Sequence, residues 1–345
     1  MVKYMKSDIK RMIRNGIFFI VIFVLTYIVI FSKIDLKAIV SALKNSNIFL
    51  VILAFIFAFN NILFESINLK RNFNLLGDKV KFCTCLKYSI IGFFYSSITP
   101  ASSGGQPMQL YEMNKDGISV SHGASALFIS FIAYMLTAVI LAIIGFIINY
   151  EYISEIALFK YLIYIGLVAN SLIISAILIA MFAKKLSHKI LNLITSIVEK
   201  INPKKAKSIK ISLSKQLDDY HASASFILKH KKATLLTFLI SFLQIISIHS
   251  VAYLIFSALG YCEYPYIYML LLQSVVFISV SAIPLPGTIG VSETGFALMY
   301  RNLFPTAVVE TSMLLTRGVS FYILVVFSAI ILLILKLVKR RKQRK

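Results

Sequence analysis

The sequence predicts an all-α polytopic integral membrane protein, with about six full spans and two opposite-facing re-entrant helical hairpins arranged as an inverted repeat. Composition is the first ground. Of 345 residues, 59% are hydrophobic and 14% charged, against about 45–50% apolar and about 25% charged in a soluble domain. A soluble interior of this length has no room for so much apolar surface, so lipid is the solvent for much of it. Charge placement is the second ground. Lys and Arg number 36 against 14 Asp and Glu, a net charge of +22. They fall in short islands between apolar runs, which suits anionic headgroups rather than nucleic acid. A soluble enzyme, a disulfide scaffold, a disordered tail and a nucleic-acid partner are thereby excluded.

The apolar windows fall at 17–34, 47–67, 83–98, 121–148, 159–183, 233–259, 267–283, 288–304 and 308–336. Before the first stand Lys3, Lys6, Lys10, Arg11 and Arg14, as before a signal peptide. Ser32-Lys33-Ile34 offers no small-x-small cleavage site, so the segment reads as the first span. The basic islands at the N-terminus, 68–82, 184–232 and 336–345 are expected in the cytoplasm. The links at 149–158 (Glu151, Glu155) and 260–266 (Glu263) carry no Lys or Arg and are expected outside, with both termini inside.

That orientation makes 83–98 and 121–148 both start inside, which one crossing does not allow. A re-entrant hairpin resolves it: entry through 83–98, a break at 99–107 and return through 108–117. The same parity holds at 267–304, which breaks at 283–290. Each break is rich in Pro and Gly, as a turn inside the membrane requires. The chain then reads as one membrane domain over 1–345, with a span–hairpin–span unit at 47–148, a basic loop at 184–232, an inverted unit at 233–336 and a basic tail at 337–345. Inverted repeats with broken helices are a transporter signature. One full span plus a buried loop fits each hairpin as well.

The first break supplies Ser102, Ser103 and Gln106 as polar groups, Gly104 and Gly105 for close backbone approach, and Tyr111 on the returning arm. Non-helical backbone at membrane depth must be satisfied by protein or a watered cavity. Gly and Pro that merely turn the chain, with serines as caps, are the plainer reading. In the second break Pro284 and Pro286 stop one arm, Gly287 and Gly290 open the next, and Glu293 follows one turn later. A carboxylate at this depth costs about 2.5–3.5 kcal/mol on insertion scales and needs a partner. Arg317, inside the last apolar run, is the candidate. The pair is either structural or a guanidinium offered to a phosphate, with Glu293 holding it when the site is empty.

Both breaks, with the run Leu-Leu-Thr-Arg317-Gly-Val-Ser-Phe-Tyr, resemble the membrane domain of the lysylphosphatidylglycerol synthase/flippase family over roughly 10–336. The resemblance implies a phospholipid, anionic or aminoacylated, moved across a bacterial cytoplasmic membrane, and a context of antibiotic resistance. The family's soluble aminoacyl-transferase domain is expected to be absent, since the chain ends in Lys-Arg-Arg-Lys-Gln-Arg-Lys. Two other readings stand: a membrane enzyme of the phosphatidylglycerol lysyltransferase type, and a non-catalytic subunit of a lipid-modifying complex. Anionic inner-leaflet lipids, a separate lipid-modifying enzyme and a second copy of the chain are further candidate partners.

Remaining features read more blandly. Asn60 and Asn61 suit interhelical hydrogen bonding, Glu65 lies near the inner end of its span, and Glu112 near the cytoplasmic mouth. No catalytic residue, cofactor or metal is expected. His122 and His249 are isolated, and no nucleophile elbow or Walker loop occurs. Cys83-x-Cys85 lacks a metal or redox spacer, so these two and Cys262 read as small apolar packers. The 184–232 loop has twelve lysines, and Leu186, Ile190, Leu191, Ile194, Ile197, Val198 and Ile201 at helical spacing. It reads as an interfacial helix on the inner leaflet, or as a simple extension of the preceding span.

Overall fold

A computed structural model describes residues 41, 43, 44, 46–201 and 203–343. The expected first span at 17–34 lies outside the described residues. Helix α1 spans Ile48–Leu75, capped by the Asn47 side chain accepting from the Phe49 amide at 3.1 Å. It leads into α2 (Phe82–Ile98), a 3-10 turn (Pro100–Ser102), α3 (Gly105–Lys115) and α4 (Val120–Ile148). Next come the short α5 (Tyr150–Glu155), then α6 (Ala157–Phe182), α7 (Lys184–Ile201), α8 (Pro203–Lys229) and α9 (Lys231–Ala258). The chain closes through α10 (Tyr266–Ser281), a second 3-10 turn (Pro286–Thr288), α11 (Val291–Tyr300), α12 (Thr306–Arg317), a π turn (Gly318–Tyr322) and α13 (Ile323–Gln343). No strand occurs among the described residues.

Among the described residues five segments are long and apolar enough to cross a bilayer: α1, α4, Phe159–Ile179 within α6, α9, and Thr306–Val338 running through the π turn. Their outer faces are bare hydrocarbon, with Ile140, Ile147, Val168, Leu235, Ile330 and Leu333 all exposed, as expected where lipid is the solvent. The protein is a polytopic integral membrane protein. By contrast α2 and α10 have 17 and 16 residues. At 1.5 Å per residue they rise about 25 Å and 24 Å, short of the roughly 30 Å hydrocarbon core. Each then folds back: α3 packs along α2, and α11 along α10.

A polar seam joins the two halves. The Asn47 amide donates to the Ala258 carbonyl at 2.8 Å, Ser247 donates to the Phe57 carbonyl at 2.9 Å, and Gln244 donates to Asn61 Oδ1 at 3.0 Å. Asn68 donates to Ser241 at 3.1 Å, and Thr237 to Asn72 at 3.4 Å. Partner numbers on α9 fall as those on α1 rise, so the two helices run antiparallel. Asn61 thus makes the interhelical bond its residue type suggests.

The largest core cluster sits between α4, α6, α9, α10 and α11, with Phe256 stacked on Phe304 at 4.2 Å between ring centroids. Gly166 is what lets α6 close on α10, because a Cβ there would run into the Ile278 carbonyl. Asn170, one turn further, donates to Ser281 Oγ at 2.9 Å at the end of α10.

In residues 184–232 the helix expected over 186–201 is present as α7, and a second helix, α8, follows it. They form a helical hairpin, with α7 packed on α8 and α8 docked on α4. Leu191 and Thr195 of α7 are buried, as are Tyr220, Ala224 and Ile227 of α8, while Leu186, Ile190 and Leu193 stay exposed. The apolar stripe is therefore shared between a protein neighbour and the outside. Lys184 and His188 close the hairpin on Asp218 at 2.7 and 3.2 Å. The cysteines also differ from expectation: Cys85 is buried, but Cys83 and Cys262 are exposed near helix starts and turns, where no core reaches them.

Candidate functional site

The second hairpin tip is held by Glu293 of its own arm and, from outside the hairpin, by Arg317 and Tyr322. Glu293, third residue of α11, accepts from the Gly290 amide at 2.7 Å through Oε2. Its Oε1 accepts from Arg317 Nε at 2.9 Å and from the Tyr322 hydroxyl at 2.8 Å. Arg317 Nη2 donates to the Gly287 carbonyl at 2.9 Å, which fixes the turn itself. The guanidinium lies over the Phe321 ring at 4.4 Å. The side chains of Arg317 and Glu293 are only 15% and 16% exposed, so this charge pair sits in a low-dielectric setting and is held by hydrogen bonds on both sides. Among the described residues no acceptor is bonded to Arg317 Nη1, which leaves donor capacity on a fixed cation.

The π turn explains how one helix supplies both donors to Glu293 Oε1. In a regular α-helix residues five apart stand roughly 140° apart around the axis. The i→i+5 bonding of Gly318–Tyr322 takes one more residue per turn and brings Tyr322 back under Arg317.

The first tip holds itself with uncharged groups. Thr99 Oγ1 accepts from the Gly104 amide at 2.9 Å and donates to the Tyr95 carbonyl at 2.6 Å. Ser96 donates to the Ser102 carbonyl at 3.3 Å. Gly105 is required here, since a Cβ would meet Ser96 Oγ and come within 2.7 Å of the Gly92 carbonyl oxygen.

The two tips share one backbone solution. Thr99 precedes its turn at φ −115°, ψ 146°, and Leu285 precedes the other at φ −106°, ψ 145°. Each 3-10 turn opens on a proline and ends on a hydroxyl residue in the left-handed region, Ser102 at φ 54° and Thr288 at φ 52°. Such backbone costs about 1–2 kcal/mol per non-Gly residue and collects at functional sites. The turns pack directly on one another, and a Cβ on Gly287 would lie 3.0 Å from the Ser97 carbonyl oxygen and against Phe321.

The structure thus gathers Ser102, Ser103, Gly104, Gly105 and Gln106 on one tip and Pro284, Pro286, Gly287 and Gly290 on the other, with Glu293 and Arg317 beside the contact. The tips touch; they do not face each other across an open space. Tyr111 is a correction. It lies six residues beyond Gly105, about 9 Å of helix rise away, 54% exposed, with Lys115 Nζ 4.1 Å from its ring centroid. Three contributors escape the sequence reading. Thr288 and Tyr322 have no local signal. Gln109, 2% exposed, lies over Gly92 and donates to Glu65 Oε1 at 2.7 Å, tying α3 to α1.

Paired helix–break–helix units, joined tip to tip inside an all-helical bundle and clamped by a part-buried Arg–Glu pair, define a polytopic membrane protein with broken helices. The particular family follows from comparison. The model of the lysylphosphatidylglycerol synthase TM region matches residues 16–328, and the chain belongs to that family. A UPF0104 membrane protein of Archaeoglobus fulgidus is 28% identical over 310 residues, covering 88% of this chain and 91% of the relative.

Proposed function

We propose that the protein carries a phospholipid headgroup across the cytoplasmic membrane, with α2–α3 and α10–α11 as re-entrant hairpins entering from opposite sides. The antiparallel seam of α1 and α9 and the matched backbone of the two tips support an inverted repeat. The basic end, with Lys70, Arg71 and the α7–α8 hairpin, is the cytoplasmic one on the charge rule. The observation that carries the reading is Arg317: a largely buried cation with spare donor capacity, fixed at the junction of both tips by Glu293 and the Gly287 carbonyl. A phosphodiester binding there gains a guanidinium already oriented, which lowers the ordering cost of binding. The acyl chains stay in lipid.

The test is leaflet-resolved movement of labelled phospholipid by the purified protein in liposomes. Arg317→Ala is expected to lower translocation at least tenfold, and Arg317→Lys to keep part of it, because an ammonium does not make the bidentate contact. Glu293 keeps its Gly290 and Tyr322 bonds in Arg317→Ala, so the loss of stability is about 1–3 kcal/mol. Full transport by Arg317→Ala refutes the phosphate role. New lipid products in the same assay point instead to a lipid-modifying enzyme.

A further inference from the structure

At the basic end lies a cleft of about 530 Å³ that the tip-to-tip site does not use. Its walls are the 77–81 turn, the first two turns of α2, and the 116–118 turn after α3. Lys79, Lys81 and Lys87 line it, as does Thr84. Two carboxylates also line it, and both are engaged. Asp78 holds His122 Nδ1 at 2.7 Å. Asp116 pairs with Lys87 and accepts from the Tyr88 hydroxyl at 2.7 Å. Lys79 and Lys81 are exposed and have no carboxylate partner among the described residues. The acids therefore fix the cleft's walls, and two lysines remain to face a ligand.

We propose that this cleft is a second phosphate site, taking the phosphodiester of a lipid headgroup. The two lysines without a carboxylate partner favour an anion, and the volume falls in the roughly 300–1,000 Å³ range of small-ligand sites. The position selects a headgroup over a soluble anion. The cleft is lined by the first two turns of α2, an apolar helix, so with α2 as a membrane arm, as the proposed function has it, its lysines stand at headgroup level. Lysines at that level each add about tenfold or less to the binding of anionic lipid. The site needs nothing of Arg317, and a failure of the Arg317 reading leaves it standing.

The exposed Cys83, two residues after Lys81, gives a local reporter once Cys262→Ser removes the other exposed thiol. The full chain in detergent, carrying an environment-sensitive fluorophore on Cys83, is titrated with short-chain phosphatidylglycerol and, separately, with inorganic phosphate. Saturable binding of the lipid probe, weakened about tenfold or more by Lys79→Gln with Lys81→Gln and kept by the two Arg replacements, supports the proposal. An unchanged unfolding temperature shows that the Gln variant is folded. Equal response to inorganic phosphate makes it a free-phosphate site and overturns the headgroup assignment. No saturable response to either probe, or full binding by the Gln variant, overturns the site.

Discussion

At the first tip Thr99, Ser96 and the chain's own amides satisfy the turn, whereas at the second the matching turn is bound by Arg317 and Glu293 from α12 and α11. The backbone problem is the same: a proline-led 3-10 turn ending on a left-handed hydroxyl residue. Uncharged local bonds are enough for the first tip, so the geometry of the turn does not by itself require a charge pair at the second. A buried ion pair is weak evidence of stabilisation, since its desolvation offsets much of its attraction. Under the proposed function the clamp serves a ligand more than the fold.

The widest test of that contrast removes both charges at once. Arg317→Met with Glu293→Gln is expected to abolish lipid translocation while the unfolding temperature in detergent stays within a few degrees of the parent. A collapse in stability breaks the contrast. A smaller effect is expected from Thr99→Val, which leaves the Gly104 amide without its acceptor and costs about 1–2 kcal/mol by chemical denaturation. The two left-handed residues sharpen the comparison further. Ser102→Gly relieves strain at an exposed position and should stabilise by about 1 kcal/mol. Thr288→Gly gains the same relief but loses the Thr288–Ser292 hydroxyl bond at 2.5 Å, so its net change should be near zero. The smallest effect lies at the α7–α8 hairpin. Lys184 and then His188 hold the Asp218 carboxyl below its usual range. A lowered carboxylate pKa contributes stability above the unfolded value, 3.8, and loses it as pH falls through the lowered one. The free energy of opening α7, from hydrogen exchange corrected for the intrinsic amide rate, should therefore be flat from pH 7 to about 5 and fall only in stronger acid, slightly and less so in high salt, since the pair is exposed.

Much of the bundle was legible because its signals are local. Apolar length marks α1, α4, α6 and α9; Pro284, Pro286 and Gly287 mark a break; and a lone Arg317 in an apolar run, with Glu293 across the preceding turn, predicts its own partner. What was hidden depends on residues far apart in sequence or on backbone that departs from its period. Nothing in Gly-Val-Ser-Phe-Tyr announces a π turn, so Tyr322 reads as facing away from Arg317. Tyr111 reads as near the tip because it follows the break closely, yet helix rise carries it away. The stripe on α7 reads as membrane-bound because its partner α8, itself rich in lysine, shows little apolar pattern until Tyr220.

The seam between α1 and α9 has a mechanical consequence. Its bonds run from Asn47–Ala258 at one end to Asn72–Thr237 at the other, and each joins one particular pair of depths. Sliding α1 along α9 by a single residue breaks all of them together, with no lipid-side water to replace them. The two long helices therefore behave as a keyed shaft, free to tilt together but not to shift along each other. Relative displacement is thereby left to the short arms, α2–α3 and α10–α11, which meet the shaft through fewer polar bonds. Substitution of Asn61 or Gln244 by leucine would unlock the shaft at its centre without touching either tip.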